Sequence, residues 1–496
     1  MRFKVTESLF SPGEDPCREE AEPGRLPMNS RCGWWLLTAT VLGSSMAFVD
    51  MSVVNVALPV IERDLDTGFA GLQWIVDAYM LVLGCLLLLG GRLGDVYGRR
   101  RIFIIGLLAF AAASLAAAIS PSDLTLIGAR AVQGVGAALM IPGSLAIITA
   151  TIRGRDRGQA IGAWSGLTAL ATAGGPLLGG WLVQTTSWRF IFLINLPVAV
   201  VAAFITYRHV PESYDRSVDQ LDVPGAVLAV AALAGLIYAP IEGPRLGWSS
   251  PSVLIALAGG IALSAALLVY ESRQDQPLLP LEFFKVRQFW GTNLATLFIY
   301  AALNANFFLF VIQLQRRIGY GPLGAGAALT PVTIFLLVGS PLAGRLVGRI
   351  GPRLPMTLGP LIAAIGLYLI GGISADSAEP TWDSYLRDIL PPVLAFSLGL
   401  ALTVAPLTTA ALSALEAAQA GLASGVNNAA ARVAGLLGIA LIPLAAGISG
   451  TSELGGADFG QGFTRAMLIS AGLCVAGAVI AYMTVSGEPP GQDDRG

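Results

Sequence analysis

Charged residues are scarce in this chain, at 12% of its 496 residues, whereas a soluble globular protein has about 25%. Hydrophobic residues make up 54% of the sequence, and the mean hydropathy is +0.69. One soluble core of this length cannot bury so much apolar surface. The composition therefore predicts a protein that places most of its surface in a lipid bilayer.

Histidine and cysteine, frequent ligands of protein-bound metals, are also rare. His209 is the single histidine, and the four cysteines do not have the spacing of metal-ligand motifs. The stretch GRLGDVYG at 91–98 lacks the lysine of a phosphate-binding P-loop, and no nucleophile–base motif is present. With a net charge of −2 and arginines scattered among loops, the chain offers no basic face. We therefore expect neither an enzyme nor a nucleic-acid binder, and no metal or bound cofactor.

Long apolar runs, in contrast, are abundant, and each is long enough to form a membrane-crossing helix. Roughly 20 mostly apolar residues are needed to cross about 30 Å of hydrocarbon. The runs lie at 34–60, 71–90, 102–120, 124–150, 160–184, 190–207, 222–241, 251–270, 289–314, 323–344, 355–374, 389–412, 421–447 and 465–486. They predict an all-α integral membrane protein with fourteen transmembrane helices, which we number in chain order.

One short motif occurs twice and suggests how the chain is organised. GRLGDVYGRR at 91–100 and GRLVGRIGPR at 344–353 share glycines and arginines in the same register. Duplicated halves are a known design of transporters, in which the substrate site lies at their interface. We therefore expect two six-helix halves joined by an inserted helix pair. The predicted parts are an N-terminal tail at 1–33, a half at 34–207, a linker with two helices at 208–288, a half at 289–486 and a tail at 487–496.

Positive charge predicts how the chain is oriented. Most of its 30 lysines and arginines fall in the tails and loops on the side of the membrane that holds both ends of the chain. Because positively charged loops stay in the cytoplasm, we expect a multi-pass protein of the cytoplasmic (inner) membrane with both termini inside the cell.

Six motifs occur in order along the chain: VDMSVVNVALP at 49–59, GRLGDVYGRRR at 91–101, RAVQGVG at 130–136, GPLLGG at 175–180, SWRFIFLINLP at 187–197 and GLASGVNNAAARVAG at 421–435. Together they resemble the major facilitator superfamily, and within it the fourteen-span drug:proton antiporter branch. The resemblance covers nearly the whole chain after the N-terminal tail. It implies a secondary transporter that exports hydrophobic or amphipathic small molecules, such as drugs and antibiotics, in exchange for protons.

For the loop between helices 2 and 3, the resemblance implies a gate. The residues concerned are Gly91, Asp95, Gly98, Arg99 and Arg100. Glycines permit close packing and a tight turn, and the family pattern pairs the aspartate with the N-terminus of helix 13, near 421–424, whose N–H groups are partially positive. Such a contact would latch the outward-facing state. The alternative is that the arginines only set the topology. In the second copy of the motif, Gly348 replaces the aspartate, so that copy has no acidic latch.

The GPLLGG motif on helix 5 places Gly175, Pro176, Gly179 and Gly180 where two helices approach closely. Small residues let helix backbones touch in lipid, and proline interrupts the helical hydrogen bonds. The resemblance implies a seal or hinge between the two halves, typical of antiporters. Plain helix packing is the alternative.

Three ionisable residues fall inside predicted helices of the first half: Asp50, Asp77 and Arg130. Each costs at least about 2.5 kcal/mol to place in a membrane, which makes a functional role the default hypothesis. Their positions along the helices place all three residues at a similar depth in the bilayer. An acid whose proton affinity depends on a movable arginine suits proton coupling, and we favour Asp77 as the acid that titrates, with Asp50 second. The alternative is a static ion pair with Arg130.

Aromatic and amide side chains on helix 9 predict a binding surface for an amphipathic molecule, since such sites combine apolar walls with a few polar groups. The candidate substrate-binding residues over the whole chain are Trp74, Gln133, Asn304, Asn306, Phe308, Gln313 and Asn427. Aromatic residues that merely face lipid are the alternative. Arg432 on helix 13 either contacts an anionic group or serves as a structural hydrogen-bonding centre.

The resulting hypothesis is a monomeric, proton-driven exporter of small molecules that works by alternating access without a cofactor. Two alternatives stay open from the sequence. One is a transporter of a specific metabolite or lipid, with or without proton coupling. The other is a membrane sensor or scaffold that transports nothing, although the buried charges argue against it.

Overall fold

Fourteen helices are long and apolar enough to cross a membrane in the computed structural model, which describes residues 26–215, 222–274, 281–373, 380–415, 419–448 and 456–488. We name them in chain order: α1 Arg31–Leu65, α2 Phe69–Tyr97, α3 Arg99–Ala118, α4 Asp123–Thr151, α5 Gly154–Thr185, α6 Phe190–His209, α7 Val223–Leu246, α8 Pro251–Glu271, α9 Arg287–Ile318, α10 Pro322–Ile350, α11 Arg353–Gly371, α12 Trp382–Leu412, α13 Ala420–Ala445 and α14 Ala457–Thr484. The described residues form no strand. The predicted all-α architecture with fourteen transmembrane helices is confirmed.

Polar caps and glycines set several of the helix ends. Ser30 accepts a hydrogen bond from Gly33 N at 3.0 Å where α1 begins, and a capping box begins α4. Such caps satisfy N–H groups that have no partner within the helix and contribute about 1 kcal/mol each. Gly98 and Gly351, with φ of 106° and 76°, end α2 and α10. They occupy the same position of the duplicated motif, and both backbone conformations favour glycine.

The pairing of helices confirms that the chain contains two six-helix halves. In the first half, α1 packs on α5 and α6, α3 on α6, and α2 on α4. In the second half, α9 packs on α13 and α14, α11 on α14, and α10 on α12. Each of these helix pairs of the first half therefore has a counterpart in the second half, whose helix numbers are larger by eight. The two halves meet where α2 packs on α13 and α5 packs on α10.

The inserted pair, α7 and α8, covers the seam between the halves. Helix α7 packs on α2 of the first half and on α13 of the second, and α8 packs on α7. Only 11% of the most apolar stretch of α8 is buried, compared with 67% in α9. Helix α8 therefore has the outermost position in the bundle and presents most of its surface to lipid.

The bundle has two faces, which we name by the positions of the first and last helices' ends. The terminal face is where α1 begins and α14 ends, and the opposite face is where α1 ends and α2 begins. On the terminal face, residues 210–215 after α6 cover the first motif copy, where Arg99 N donates to Ser213 O at 3.0 Å. Residues after α14 lie likewise against the second copy, because Gly487 O closely approaches Gly351.

The limits proposed for the five parts of the chain stay predictions. Of the N-terminal tail predicted at 1–33, residues 1–25 lie outside the described residues, and so do residues 489–496 of the tail predicted at 487–496. Two short stretches of the predicted linker, 216–221 and 275–280, also lie outside them. Within the described part, α1 begins at Arg31 and extends to Leu65, five residues beyond the predicted end.

Candidate functional site

Asp50 and Arg130 form a buried ion pair between α1 and α4. The same carboxylate accepts hydrogen bonds from Gln133 Nε2 at 3.1 Å and from Asn195 Nδ2 at 3.0 Å. The amide of Gln133 also donates to Ser114 Oγ at 2.8 Å. A buried charge needs such partners, because an isolated one costs several kcal/mol. The pair is thus embedded in a network that draws in α3 and α6 as well.

The guanidinium of Arg130 is held on its other sides by α2. Its Nε donates to the Ile75 carbonyl at 3.1 Å, and its Cζ lies 4.3 Å from the centre of the Tyr79 ring, a cation–π contact. The Tyr79 hydroxyl in turn donates to Ala47 O at 3.0 Å. Arg130 therefore links α1, α2 and α4, and any shift of α2 along α4 changes its contacts.

Asp77 lies on the same stretch of α2 but outside this network. Its side chain is 0% exposed, and neither carboxyl oxygen has a hydrogen-bond partner among the described residues. An ionised carboxylate in such surroundings is strongly unfavourable, so this packing suits the neutral, protonated acid. The structure thus separates the three charges predicted to cluster, because Arg130 pairs with Asp50 and leaves Asp77 alone.

Helix α9 supplies the amides expected from the sequence. Both polar atoms of the buried Asn306 side chain are without a partner among the described residues. Gln313 donates to Ile373 O at 3.1 Å, while its own oxygen accepts nothing there. Asn304 donates to Tyr300 O of its own helix at 2.8 Å. Unpaired amides are costly inside a protein, and Asn306 is the amide of α9 with the most unused hydrogen-bonding capacity in this conformation.

Other candidate substrate-binding residues are already engaged within the protein. The Trp74 indole donates to Glu242 Oε1 at 3.1 Å, and the Asn427 amide donates to Thr296 Oγ1 at 2.8 Å. Gln133 belongs to the Asp50 network described above. In this conformation their donors are used, and a role in binding substrate stays a prediction for them.

Phe308, a further candidate, is fully buried. Its ring packs edge-on against Phe69 of α2, with ring centres 5.6 Å apart. The contact joins the two halves, because α9 belongs to the second half and α2 to the first. Phe308 therefore contributes to the interface between the halves in this conformation.

Hydrogen bonds join the two halves at the opposite face. Gln315 Nε2 donates to Val56 O at 2.8 Å. Arg316 forms an ion pair with Glu62 and donates to Pro59 O at 2.9 Å. These bonds run from the end of α9 to the end of α1. We call this group of contacts the opposite-face seal, and it closes the space between the halves on that side.

The GPLLGG motif packs on α1 through one side of α5. Gly175 lies against Ser52, and a Cβ added to Gly179 would be 2.7 Å from Val53 Cγ1. Contacts this close require glycine. The predicted close helix approach is therefore present between α5 and α1.

The other side of the same motif contacts the second half. A Cβ added to Gly180 would lie 2.6 Å from the Pro322 carbonyl oxygen, and the carbonyl of Pro176 lies against Gly326. Gln184, one turn after Gly180, accepts a hydrogen bond from Leu323 N at 3.2 Å. The motif thus lies in the interface between α5 and α10, next to the opposite-face seal, where a seal or hinge is expected.

In the first copy of the loop motif, Asp95 forms an ion pair with Arg99 at 2.7 Å. Arg100 N donates to Glu212 Oε1 at 2.9 Å, and a Cβ added to Gly98 would be 2.8 Å from the same carboxylate. Gly91 lies further back on α2, where its Cβ would be at ordinary contact distance from Pro142 of α4. Glu212 is thus the acidic partner of this turn in the present conformation.

The latch proposed between Asp95 and the start of α13 stays a prediction. The family pattern assigns this latch to the outward-facing state of the transporter. Helices α2 and α13 do lie side by side, since a Cβ added to Gly425 would be 2.9 Å from Leu88 Cδ2.

Sequence reasoning missed several residues of these networks. Asn195 donates to Asp50, and Ser114 accepts hydrogen bonds from Asn195 and from Gln133. Glu212 accepts a hydrogen bond from the loop motif. For Asn195 a signal existed, because an amide within an apolar run is costly unless it has a partner. The positions of Ser114 and Glu212 depend on how helices pack, and sequence spacing does not report that.

Comparison with known proteins places the chain in a family. The family model described as Major Facilitator Superfamily matches residues 40–439. The chain is 35% identical to "Multidrug resistance protein Stp" of Mycobacterium tuberculosis (strain CDC 1551 / Oshkosh) over 421 residues, covering 84% of this chain and 77% of the relative. It is 34% identical to "Puromycin resistance protein pur8" of Streptomyces alboniger, covering 93% of both chains.

Among solved structures, a peptide transporter named POT, in complex with sulfate, is similar in fold, with a TM-score of 0.67 and 15% identity over 95% of this chain and 98% of that one. A family model that covers most of the chain, together with relatives of this identity, establishes the resemblance stated from the motifs. The protein belongs to the Major Facilitator Superfamily, and it is a membrane transporter rather than an enzyme.

Proposed function

We propose that this protein exports hydrophobic or amphipathic small molecules, drugs and antibiotics among them, in exchange for protons. Relatives that match most of the chain are named multidrug and antibiotic resistance proteins, which supports the class of substrate. We further propose that the protein is a monomer in the cytoplasmic membrane with the terminal face in the cytoplasm. The proton gradient is its energy source, and it needs no bound cofactor.

Proton coupling is supported by one observation above all, the buried carboxyl of Asp77 that has no partner among the described residues. Such surroundings favour the neutral form of the carboxyl, and in the proposed mechanism it carries a proton in the sealed conformation. A shift of α2 that brings the carboxyl to water or to Arg130 would stabilise the ionised form and release the proton. Asp50, already paired with Arg130, holds the arginine in place until that shift occurs.

The transport cycle follows from combining this acid with the seal. With the opposite face closed, the protonated transporter opens toward the cytoplasm, binds its substrate and gives up the proton there. When the opposite-face seal breaks, the substrate leaves and a proton from outside binds again. Asn306 and Gln313 on α9 supply hydrogen bonds to the substrate, and the surrounding aromatic rings supply its apolar contacts.

Transport into proteoliposomes with an imposed pH gradient tests the proposal. Wild type, Asp77→Asn and Asp66→Asn are compared with a panel of lipophilic dyes and antibiotics, and internal pH is followed together with substrate movement. Asp66 lies at the exposed end of α1 in a left-handed conformation that asparagine tolerates, and it is the matched control. We expect coupled fluxes in wild type and the control, and loss of the gradient's effect in Asp77→Asn.

Different results would lead to different conclusions. Substrate movement that ignores the gradient in wild type would contradict the proton coupling and favour a facilitator. Coupled transport that survives Asp77→Asn would give Asp77 a purely structural role. The absence of flux for every compound would contradict export altogether.

A further inference from the structure

A cavity of about 560 Å³ lies under the inserted helix pair, in the part of the bundle toward the terminal face. This volume is within the range of about 300 to 1,000 Å³ found for small-molecule sites. Asp50, Asp77 and Arg130 are not among its lining residues, so the cavity is separate from the candidate proton site. The lining consists of Phe284 and of residues within 81–88 of α2, 225–233 of α7, 264–271 of α8, 290–297 of α9 and 426–436 of α13.

Most of the lining is aliphatic or aromatic, and its polar groups are engaged within the protein. Ser264 and Asn293 each donate to a backbone carbonyl of their own helix, at 2.8 and 2.9 Å. The oxygen of Asn293 accepts from Asn427. The buried carboxylate of Glu271 interacts with other groups of the chain, and the thiol of Cys85 is only a weak donor. These groups therefore offer little to a polar ligand.

Arg432 also borders the cavity, but its charge lies elsewhere. A Cβ added to Gly84 would be 3.0 Å from Arg432 Cβ, so α2 packs against the base of this side chain. The guanidinium lies near Phe48 and Met51 of α1, and neither of these residues lines the cavity. Because moving a charge into apolar surroundings without a partner is strongly unfavourable, the cavity is complementary to an uncharged lipophilic molecule.

The cavity reaches the outer surface of the bundle. Two of its lining residues, Leu268 on α8 and Trp290 on α9, are 49% and 38% exposed. Helix α8, which forms its outer wall, is the least buried of the fourteen spans. A molecule dissolved in the bilayer leaflet on the terminal face can therefore enter between α8 and α9 without crossing water.

The walls of the cavity belong to both halves of the transporter. Helix α2 comes from the first half, and α9 and α13 come from the second. Beside the cavity α2 and α13 are in close contact, since a Cβ added to Gly425 would be 2.9 Å from Leu88 Cδ2. When the halves separate at the terminal face, these walls move apart. A ligand that fits the cavity only in its present form stabilises this conformation over the others.

We propose that this cavity is an inhibitory site, which takes an uncharged lipophilic molecule from the bilayer. The molecule fills the space under α7 and α8 and holds α2 and α13 together, so that the terminal face opens less readily. The inhibition rests on the proposed transport function, whereas the binding does not. Binding and inhibition are therefore tested separately.

Photolabelling of the full-length protein in nanodiscs, without any gradient, tests the binding. The probe is a long-chain primary alcohol with a diazirine in its alkyl chain, and the matched probes are the sulfonate and the trimethylammonium ion of the same chain length. We expect the alcohol to label the segments that line the cavity, and an excess of unlabelled alcohol to prevent this. Either ion should need about a tenfold higher concentration, because it loses its hydration in the cavity without gaining a partner.

Substitutions on α7 locate the site. Ala229 lines the cavity, so Ala229→Trp should fill it and block labelling, and the smaller change Ala229→Leu should weaken labelling to an intermediate level. Val227→Trp is the control, because Val227 lies on the exposed side of the same helix and does not line the cavity. Its labelling should equal that of wild type.

Transport in proteoliposomes tests the inhibition. The alcohol should lower the maximal rate of wild type and of Val227→Trp and leave the apparent affinity for the transported dye unchanged, because it binds outside the central space. The transport that remains in Ala229→Trp should be insensitive to the alcohol. This comparison also separates the site from any effect of the alcohol on the bilayer, which all three proteins share.

Four results would overturn the proposal. Labelling that excess alcohol does not displace, or that survives Ala229→Trp, would show general contact with lipid instead of a site. Equal labelling by either ion would contradict the uncharged class of ligand. Labelling without inhibition, or transport of the alcohol itself, would contradict the inhibitory role. A wild type that moves no substrate would contradict the proposed function and the inhibition with it, whereas the labelling alone decides on the binding site.

Discussion

Replacing Asp50 by asparagine should destabilise the protein strongly, because it leaves the buried Arg130 without its counter-charge. Asparagine keeps the size of the side chain and can still accept a hydrogen bond, so the change is mainly one of charge. Breaking a buried ion pair by removing one partner costs about 3 to 5 kcal/mol. Gln133 Oε1, at 2.9 Å from Arg130 Nη1, remains as a neutral partner and offsets part of this loss.

Removing both charges should cost less than removing one. In Asp50→Asn/Arg130→Gln, two neutral amides face each other and can hydrogen-bond with each other and with Asn195. We therefore expect the double variant to be more stable than Asp50→Asn alone by about 2 kcal/mol, because it leaves no buried charge without a partner.

Thermal unfolding measures these differences. The buried thiol of Cys474 becomes accessible when the bundle opens, and a thiol-reactive dye follows its exposure. With an unfolding entropy of about 2 cal/mol/K per residue, a loss of 3 to 5 kcal/mol lowers the midpoint by about 3 to 5 °C. An unfolding midpoint of Asp50→Asn equal to that of wild type would contradict this prediction, and so would a double variant destabilised by the sum of the two single effects.

Two further predictions concern glycines. Gly98→Ala places a side chain at φ of 106° and against a carboxylate, so the free energy of unfolding should fall by about 2 kcal/mol, whereas Gly128→Ala, in open space on α4, should cost nothing in the same thermal assay. Gly180→Val should push α5 away from α10 and raise the labelling of an Asn306→Cys variant by an impermeant maleimide from the opposite face. Gly174→Val is the control, because a Cβ added at Gly174 would have no atom within 4 Å, and it should leave that labelling unchanged. Equal labelling of the two variants would contradict the role given to Gly180.

The architecture was predictable because the membrane imposes it. A helix that crosses the hydrocarbon must be apolar over about 20 residues, and such runs can be counted directly. The repeated motif at 91–100 and 344–353 predicted the duplication, and the recurrence of Gly98 and Gly351 with positive φ gives that repeat a structural cause. Helix ends beyond the membrane, such as the extension of α1 to Leu65, follow from packing and were not predicted.

The partners within the candidate site could be predicted only in part. Depth along a helix follows from a rise of about 1.5 Å per residue, and it placed Asp50, Asp77 and Arg130 in one slab. Which acid faces the arginine depends on the rotation of each helix about its axis, and the apolar sequence of a buried helix carries little information about that rotation. Contacts with backbone carbonyls, such as that of Gln315 with Val56, have no sequence signal on the acceptor side.

One segment of α2 connects the proposed proton site with the contact between the halves. Gln73 donates to the Ile439 carbonyl of α13 at 2.6 Å, and Asp77 follows it by one helical turn. Between them, the Ile75 carbonyl accepts from Arg130. Because these three residues share one rigid turn, a displacement that frees the Asp77 carboxyl also strains the bond to α13 and the bond to Arg130. In the proposed mechanism, release of the proton to the cytoplasm would therefore weaken a contact between the halves that must break in the next step, and no longer chain of intermediates is required.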